Sequence, residues 1–438
     1  MSVTWSNWRG NVSCNPKSIV EPSSNEDLRK VLAMARTEKM KVKVVGSGHS
    51  WSEAACTDGV LVSLKRLNRV IELDRERGTV TVEPGITLNS LNQYLDQHGM
   101  ALENLGAITK QTISGAIAMA THGTGDKNGS LASAVVELEL MKASGEVVRY
   151  QQDNPTFYGV CVNLGALGII TKLTLRCVPT FFLRDIQQPM LTDILRKEID
   201  TLVKENDHFQ FFEFPHTSRS YWFKFNKMDE PVAPMPFWRQ FLDELSRTIS
   251  REGNGIGDWI TRTFPFTIPL IFRVAFLTNL RGLNRWDKSF NILAFENINF
   301  TYSELEYAIP RSATIKALEQ IHQMIENQGF RINLPISVRF ASSEEHWLSP
   351  LYQRESVYIS LNLSGSDFKV IENYHREAEQ ILLEYGGRPN WGKHFYSNRE
   401  YLRSQYPRWD DFALLMKEFD PDRLFSNPFL DRLFPFDV

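Results

Sequence analysis

Three glycine-bearing turns in the first 170 residues constrain this chain more than any other feature. The run Gly46-Ser47-Gly48-His49-Ser50 follows the apolar stretch Val42-Lys43-Val44-Val45 directly. A second run extends from Gly115 and Ala116 through Thr121, His122, Gly123 and Thr124 to Gly125. The third is Leu164-Gly165-Ala166-Leu167-Gly168-Ile169-Ile170. Glycine lets backbone N–H groups approach an anion closely and form a nest around it. Any one of these runs reads first as a tight turn. Together, with these flanks, they suit a ligand with a pyrophosphate and a long body.

Short strand and helix patterns surround the turns. Ser23-Ser24-Asn25-Glu26 is a helix-capping signal, and Leu28, Val31, Leu32 and Ala35 then recur at helical spacing. Val42–Val45, Thr79–Glu83, Val135–Met141, Val147–Tyr150 and Ile169–Val178 read as strands. Leu88, Leu91 and Leu95 form a helix stripe that Gly99 would cap. Short strands of this kind, without long regular βαβ units, give an α+β fold. A chain of 438 residues is about three times the usual domain size. The composition changes after Pro179, and the expected organisation is a ligand-binding domain over 1–180, an aromatic-rich domain over 181–385 and a C-terminal segment over 386–438. The second domain should contain a helix over 312–328 with Ile315, Leu318, Ile321 and Ile325 on one face.

Several classes are excluded. A net charge of −3 gives no electrostatic reason for nucleic-acid binding. Four scattered cysteines without CxxC spacing fit a reducing, cytoplasmic compartment, and the N-terminus lacks signal-peptide features. The nine histidines include no HExxH and no close pair at metal-ligand spacing, so no metal is expected. Gly46-x-Gly48-x-x-Trp51 lacks the third Rossmann glycine, and Gly387 to His394 has histidine where a P-loop needs Ser or Thr. The apolar run Phe264–Leu277 is too short to span a bilayer. It reads as buried core, with a peripheral membrane-facing or oligomer-facing patch as the alternative.

Residues 41–68, 101–125 and 161–177 resemble the FAD-binding (PCMH-type) domain of the vanillyl-alcohol-oxidase flavoprotein superfamily. The nearest branch resembles the aldonolactone oxidases, acting on L-gulono-1,4-lactone and D-arabinono-1,4-lactone, with alditol oxidase nearby. The likeness resumes at Glu306–Arg311, Val338-Arg339, Trp347–Pro350 and Trp391-Gly392-Lys393, and continues to the C-terminus through Tyr406-Pro407 and Asp420-Pro421. It implies an FAD domain, a substrate domain and a C-terminal segment that returns to complete the active site.

The resemblance implies that His49 carries the flavin covalently; a histidine that only hydrogen-bonds the cofactor is the alternative. It implies that Gly46, Ser47, Gly48, Ser50, Gly106, Gly115, Ala116, Thr121, His122, Gly123, Gly125, Gly168, Ile169 and Ile170 hold FAD. Arg339 and Lys393 match the family's active-site cations. A cation near the flavin ring steadies the charge that grows as hydride arrives. The implied activity is oxidation of a CH–OH group of a sugar lactone, alditol or related polyol, with O2 as acceptor and H2O2 as product. Related plant dehydrogenases carry alanine where this chain has Gly106, so glycine there is expected to leave O2 a path. The chain departs from the family pattern at Ser337, where glutamate is usual, and at Asn390, where histidine is usual. Ser360 and Asn362 replace a histidine and a threonine of the alditol-oxidase branch. These four residues should line the substrate pocket. Their departures leave open a less polar alcohol or natural-product ring as substrate, or a flavoprotein that has lost redox catalysis.

Overall fold

The computed structural model describes residues 4–228, 255–278, 282–294 and 301–435. Its first lobe begins where the glycine turns require it to. Helix Asn25–Thr37 starts at Ser24, whose side chain accepts from the backbone N–H of Asp27. Leu28, Leu32 and Ala35 on its inner face are fully buried against Val42, Val60 and Val62 of a parallel three-stranded sheet. That sheet has the order Ser18–Val20, Val60–Ser63, Val42–Val45. The first glycine turn leaves the last of these strands.

The rest of the lobe is an antiparallel five-stranded sheet, ordered Val147–Gln151, Val135–Met141, Ile169–Arg176, Thr79–Val82, Val70–Asp74. Helix Leu88–Gln97 buries the expected leucine stripe and ends before Gly99, at φ +70°. The strand expected over Ile169–Val178 stops at Arg176, because Val178–Pro179 pairs with Met100–Ala101 in a separate ribbon.

The second lobe is built on an antiparallel eight-stranded sheet. Its order is Leu283–Lys288, Phe182–Leu191, Arg219–Lys227, His208–Glu213, Ile336–Ala341, Ser356–Ser364, Tyr302–Pro310, Arg388–Pro389. Helix Thr314–Gln328 buries Leu318, Ile321 and Ile325 and ends at Gly329, at φ +68°. Helix Phe368–Glu384 packs on strands Tyr302–Pro310 and Ser356–Ser364. The Tyr307 hydroxyl donates to Glu379 on that helix, so the odd-numbered residues of strand Tyr302–Pro310 face it. The even-numbered residues face the first lobe, since side chains alternate along a strand.

Residues after 386 touch both lobes. Arg388–Pro389 closes the edge of the large sheet, while the N–H of Val42 donates to the Leu424 carbonyl at 2.8 Å. Buried Lys43 donates to the carbonyls of Gly165 (2.9 Å) and Phe425 (3.2 Å). Burial pushes its ammonium down to about 7, against the opposing pull of Asp420 and Asp431.

The run 264–277 divides between its two readings. Ile268, Phe272 and Phe276 recur every four residues and are buried, the two phenylalanines against Phe214. Phe266, Leu270 and Val274 face outward. None of the described helices is long and apolar enough to cross a membrane.

Candidate active site

An open cavity of about 1390 Å³ lies between the glycine turns and the even-numbered face of strand Tyr302–Pro310. It is open to solvent and reaches all three glycine runs, which gives it an extended lining. Among the expected residues, Gly46, Ser47, Gly48, His49, Ser50, Gly115, Ala116, Thr121, His122, Gly168 and Ile170 line one side. Arg339, Asn390 and Lys393 line the other.

The turns can be built only with glycine. A Cβ on Gly46 would stand 2.2 Å from Thr112 Oγ1. Gly168, at φ +150°, would place its Cβ 2.4 Å from the Met141 carbonyl. The wall therefore presents bare backbone. The first turn is further held from the N-terminal segment, since Trp8 Nε1 donates to the His49 carbonyl at 3.1 Å and Asn7 Nδ2 to that of Ser50 at 2.8 Å. Neither residue was legible as a support in the sequence.

His49 is partly buried, and its Nδ1 has no hydrogen-bond partner among the described residues. Burial, aided by the charges of Lys110 and Lys393, pushes its imidazole down to about 4. At neutral pH its ring is uncharged. The Thr112 hydroxyl at the same wall is also buried without a partner among the described residues. Bare backbone, unpartnered polar atoms and an elongated space together fit FAD.

Cross-strand register explains the opposite wall. Ser337 pairs with Ser360 and Ser360 with Glu306; Arg339 pairs with Tyr358 and Tyr358 with Ala308; Asn362 pairs with Glu304. Directly opposed residues share a face, so Ser337, Arg339, Ser360, Asn362, Glu304 and Glu306 lie on one surface. The loop after Pro389 runs along the edge of this surface. The Asn390 N–H donates to the Glu306 carbonyl at 2.9 Å and that of His394 to the Glu304 carbonyl at 3.0 Å, which fixes Asn390 and Lys393 above it.

Two carboxylates on this surface were not legible in the sequence as site residues. Glu306 is 2% exposed and accepts from His122 Nε2 (3.1 Å), Ser360 Oγ and Asn390 Nδ2. Burial alone would raise its carboxyl. The charge and hydrogen bond of His122, with the charges of Lys393 and Arg339, outweigh that and hold it below the usual carboxylate range. Glu304 lines the cavity and pairs with Lys393, whose ammonium also sits 4.1 Å from the centre of the Trp51 ring. The His122 ring stacks on Tyr358 with centroids 3.5 Å apart. Arg339 Nε has no hydrogen-bond partner among the described residues. The signal was available: two acidic residues with i, i+2 spacing in a strand otherwise apolar enough to be buried on both faces.

Ser337, Ser360 and Asn362, expected to line the pocket, share the sheet face with Glu304 and Glu306 but are not among its lining residues, Ser360 being engaged with Glu306. Gly106, Gly123, Gly125 and Ile169 also lie outside the lining. A Cβ on Gly106 would press on the Thr121 methyl at 2.8 Å, and Thr121 does line the cavity. No group of three or more residues suited to hold a metal occurs among the described residues.

Fold and site define a two-lobed FAD-dependent oxidoreductase, and comparisons with known proteins agree. The model of the FAD binding domain matches residues 16–151, and that of D-arabinono-1,4-lactone oxidase matches residues 173–433. The L-gulono-1,4-lactone dehydrogenase of Mycobacterium tuberculosis is 37% identical, with 99% of each chain covered. The L-gulonolactone oxidase of Mus musculus is 34% identical, over 99% of this chain and 98% of that one. The crystal structure of cholesterol oxidase from Brevibacterium sterolicum has the same fold, with a TM-score of 0.79 at 19% identity over 99% of this chain and 97% of that one. The chain belongs to the D-arabinono-1,4-lactone oxidase family.

Proposed function

We propose that this enzyme oxidises a CH–OH group of a sugar lactone or alditol, passes the electrons to O2 to give H2O2, and carries its FAD covalently on His49. When bound, FAD supplies the hydride acceptor. The observation that carries the substrate reading is the sheet surface on which Arg339, Lys393, Glu304 and Glu306 converge. Such a surface suits a neutral ligand rich in hydroxyls, because cations donate to hydroxyl oxygens and carboxylates accept from hydroxyl hydrogens. The less polar substrate was suggested by the loss of a carboxylate at Ser337, yet the pocket as a whole still contains two. Arg339 and Lys393 orient the substrate and offset negative charge that grows during reaction. The uncharged imidazole of His49 supports the covalent link, because only a free ring nitrogen can attack carbon.

The test is reduction of the purified yellow protein under argon by L-gulono-1,4-lactone, D-arabinono-1,4-lactone, alditols and simple alcohols, followed by admission of air. Rapid bleaching by a lactone or alditol, with fast reoxidation and peroxide release, is the expected result. Bleaching only by simple alcohols would move the substrate class. Slow reoxidation in air with rapid turnover on a dye would make the enzyme a dehydrogenase.

A further inference from the structure

The two carboxylates on strand Tyr302–Pro310 are not equivalent. Glu306 has both oxygens engaged within the protein, Oε1 by Ser360 and Oε2 by His122 and Asn390. With three of its roughly four acceptor sites filled by the protein, it acts mainly as a fixed counter-charge that positions His122 and Asn390. Glu304 differs. Its Oε2 takes the Lys393 ammonium, while its Oε1 has no hydrogen-bond partner among the described residues and is not sealed from the cavity. A carboxylate with one oxygen held by a cation and the other open to a polyol pocket has the form of a general base. His49 and His122 are the other bases at the cavity. His122 has both ring nitrogens occupied, by the Gly123 carbonyl and by Glu306, and His49 lies on the glycine-turn wall.

We infer that Glu304 is a catalytic residue, accepting at Oε1 the proton of the substrate hydroxyl that is oxidised, with Lys393 holding the carboxylate in place and donating to a neighbouring hydroxyl. The alcohol O–H bond breaks toward Glu304 as the carbinol C–H electron pair leaves as hydride, for which bound FAD would be the acceptor. The carbon–oxygen double bond forms without charge left on oxygen, and the protonated Glu304 returns its proton to solvent. The inference rests on the functional reading above.

Three holoenzyme variants test it: Glu304→Ala, Glu304→Gln and Glu304→Asp. Flavin content and thermal midpoint establish that each is folded. With L-gulono-1,4-lactone under argon, flavin reduction in Glu304→Ala should fall on the order of 10²–10⁴. Added formate, a small carboxylate able to enter the vacated space, should restore at least about a tenth of the loss in a saturable way in Glu304→Ala. It should not do so in Glu304→Gln, whose amide fills that space. If Glu304→Ala does not load flavin, Glu304→Asp takes its place, with the charge kept, the reach shortened and a smaller loss expected. A second readout needs no turnover: calorimetry should show the lactone binding dithionite-reduced Glu304→Ala roughly tenfold more weakly than reduced wild type, from loss of one charge-assisted hydrogen bond. Flavin reduction at the wild-type rate in all three variants, or a loss in Glu304→Ala that formate does not relieve, overturns the assignment of Glu304 alone. Failure of every lactone and alditol to reduce the wild type overturns the functional reading and this inference together.

Discussion

At the scale of single residues, His49 shows how environment sets chemical role. An exposed histidine would be part-protonated near neutrality, but burial and two lysine charges bring this one down to about 4. Its nitrogen is therefore uncharged across the physiological range. Flavin should remain with the acid-precipitated wild-type chain and appear free in the supernatant from His49→Ala; free flavin from both would remove the covalent link. The same shift has a thermodynamic sign. The folded value lies below the ordinary 6.5, so the unfolded chain binds more protons between 6.5 and about 4. The contribution of His49 to stability is thus lost as pH falls through that window, and apoprotein carrying His49→Ala should lose less stability there, as read from denaturant melts at pH 7 and pH 4.5.

At the scale of elements, strand Tyr302–Pro310 joins the two lobes by facing both. Leu305, Tyr307 and Ile309 are fully buried, and Tyr307 bonds to Glu379 of helix Phe368–Glu384. Glu304 and Glu306 face the cavity. Replacing Glu306 by glutamine leaves the buried His122 and Asn390 facing a neutral amide in place of a carboxylate, and removing one charge of a buried pair typically costs about 3–5 kcal/mol. Glu306→Gln should therefore melt at much lower denaturant than wild type near pH 7. Because the folded carboxyl is held below its ordinary value, its contribution is present above that value and fades as pH falls through the folded one. The stability gap between wild type and Glu306→Gln should narrow on acidification from pH 7 toward pH 3; a constant gap would mean that His122 does not depend on the charge.

For the whole molecule, the decisive fact is that the chain returns. Asn427, nearly 380 residues after the first glycine turn in sequence, donates to the carbonyls of Glu53, Ala54 and Cys56, and Ala54 lines the cavity. Its Oδ1 also caps the final helix at Leu430. Asn427→Ala should cost about 1 kcal/mol or more through the cap alone, and should loosen flavin retention measured by dilution of a His49→Ala, Asn427→Ala double variant against His49→Ala. The glycine turns, the helix stripes at Leu28 and Leu88 and the α+β class were legible in the sequence, because turn chemistry and hydrophobic periodicity are local. His49, Arg339 and Lys393 were legible through resemblance, because they sit in recognisable runs. The support of the first turn by Asn7 and Trp8 and the row Ser337–Ser360–Glu306 were not. The row depends on a strand register that pairs residues more than 20 positions apart in sequence, and a shift of one residue would turn those side chains to the other face. The sequence by itself determined which turns could approach a cofactor and which cations stood ready. Only the tertiary structure decided where the negative charge lies, because strand order brings Glu304 and Glu306 onto the surface where Ser337 alone suggested a missing carboxylate.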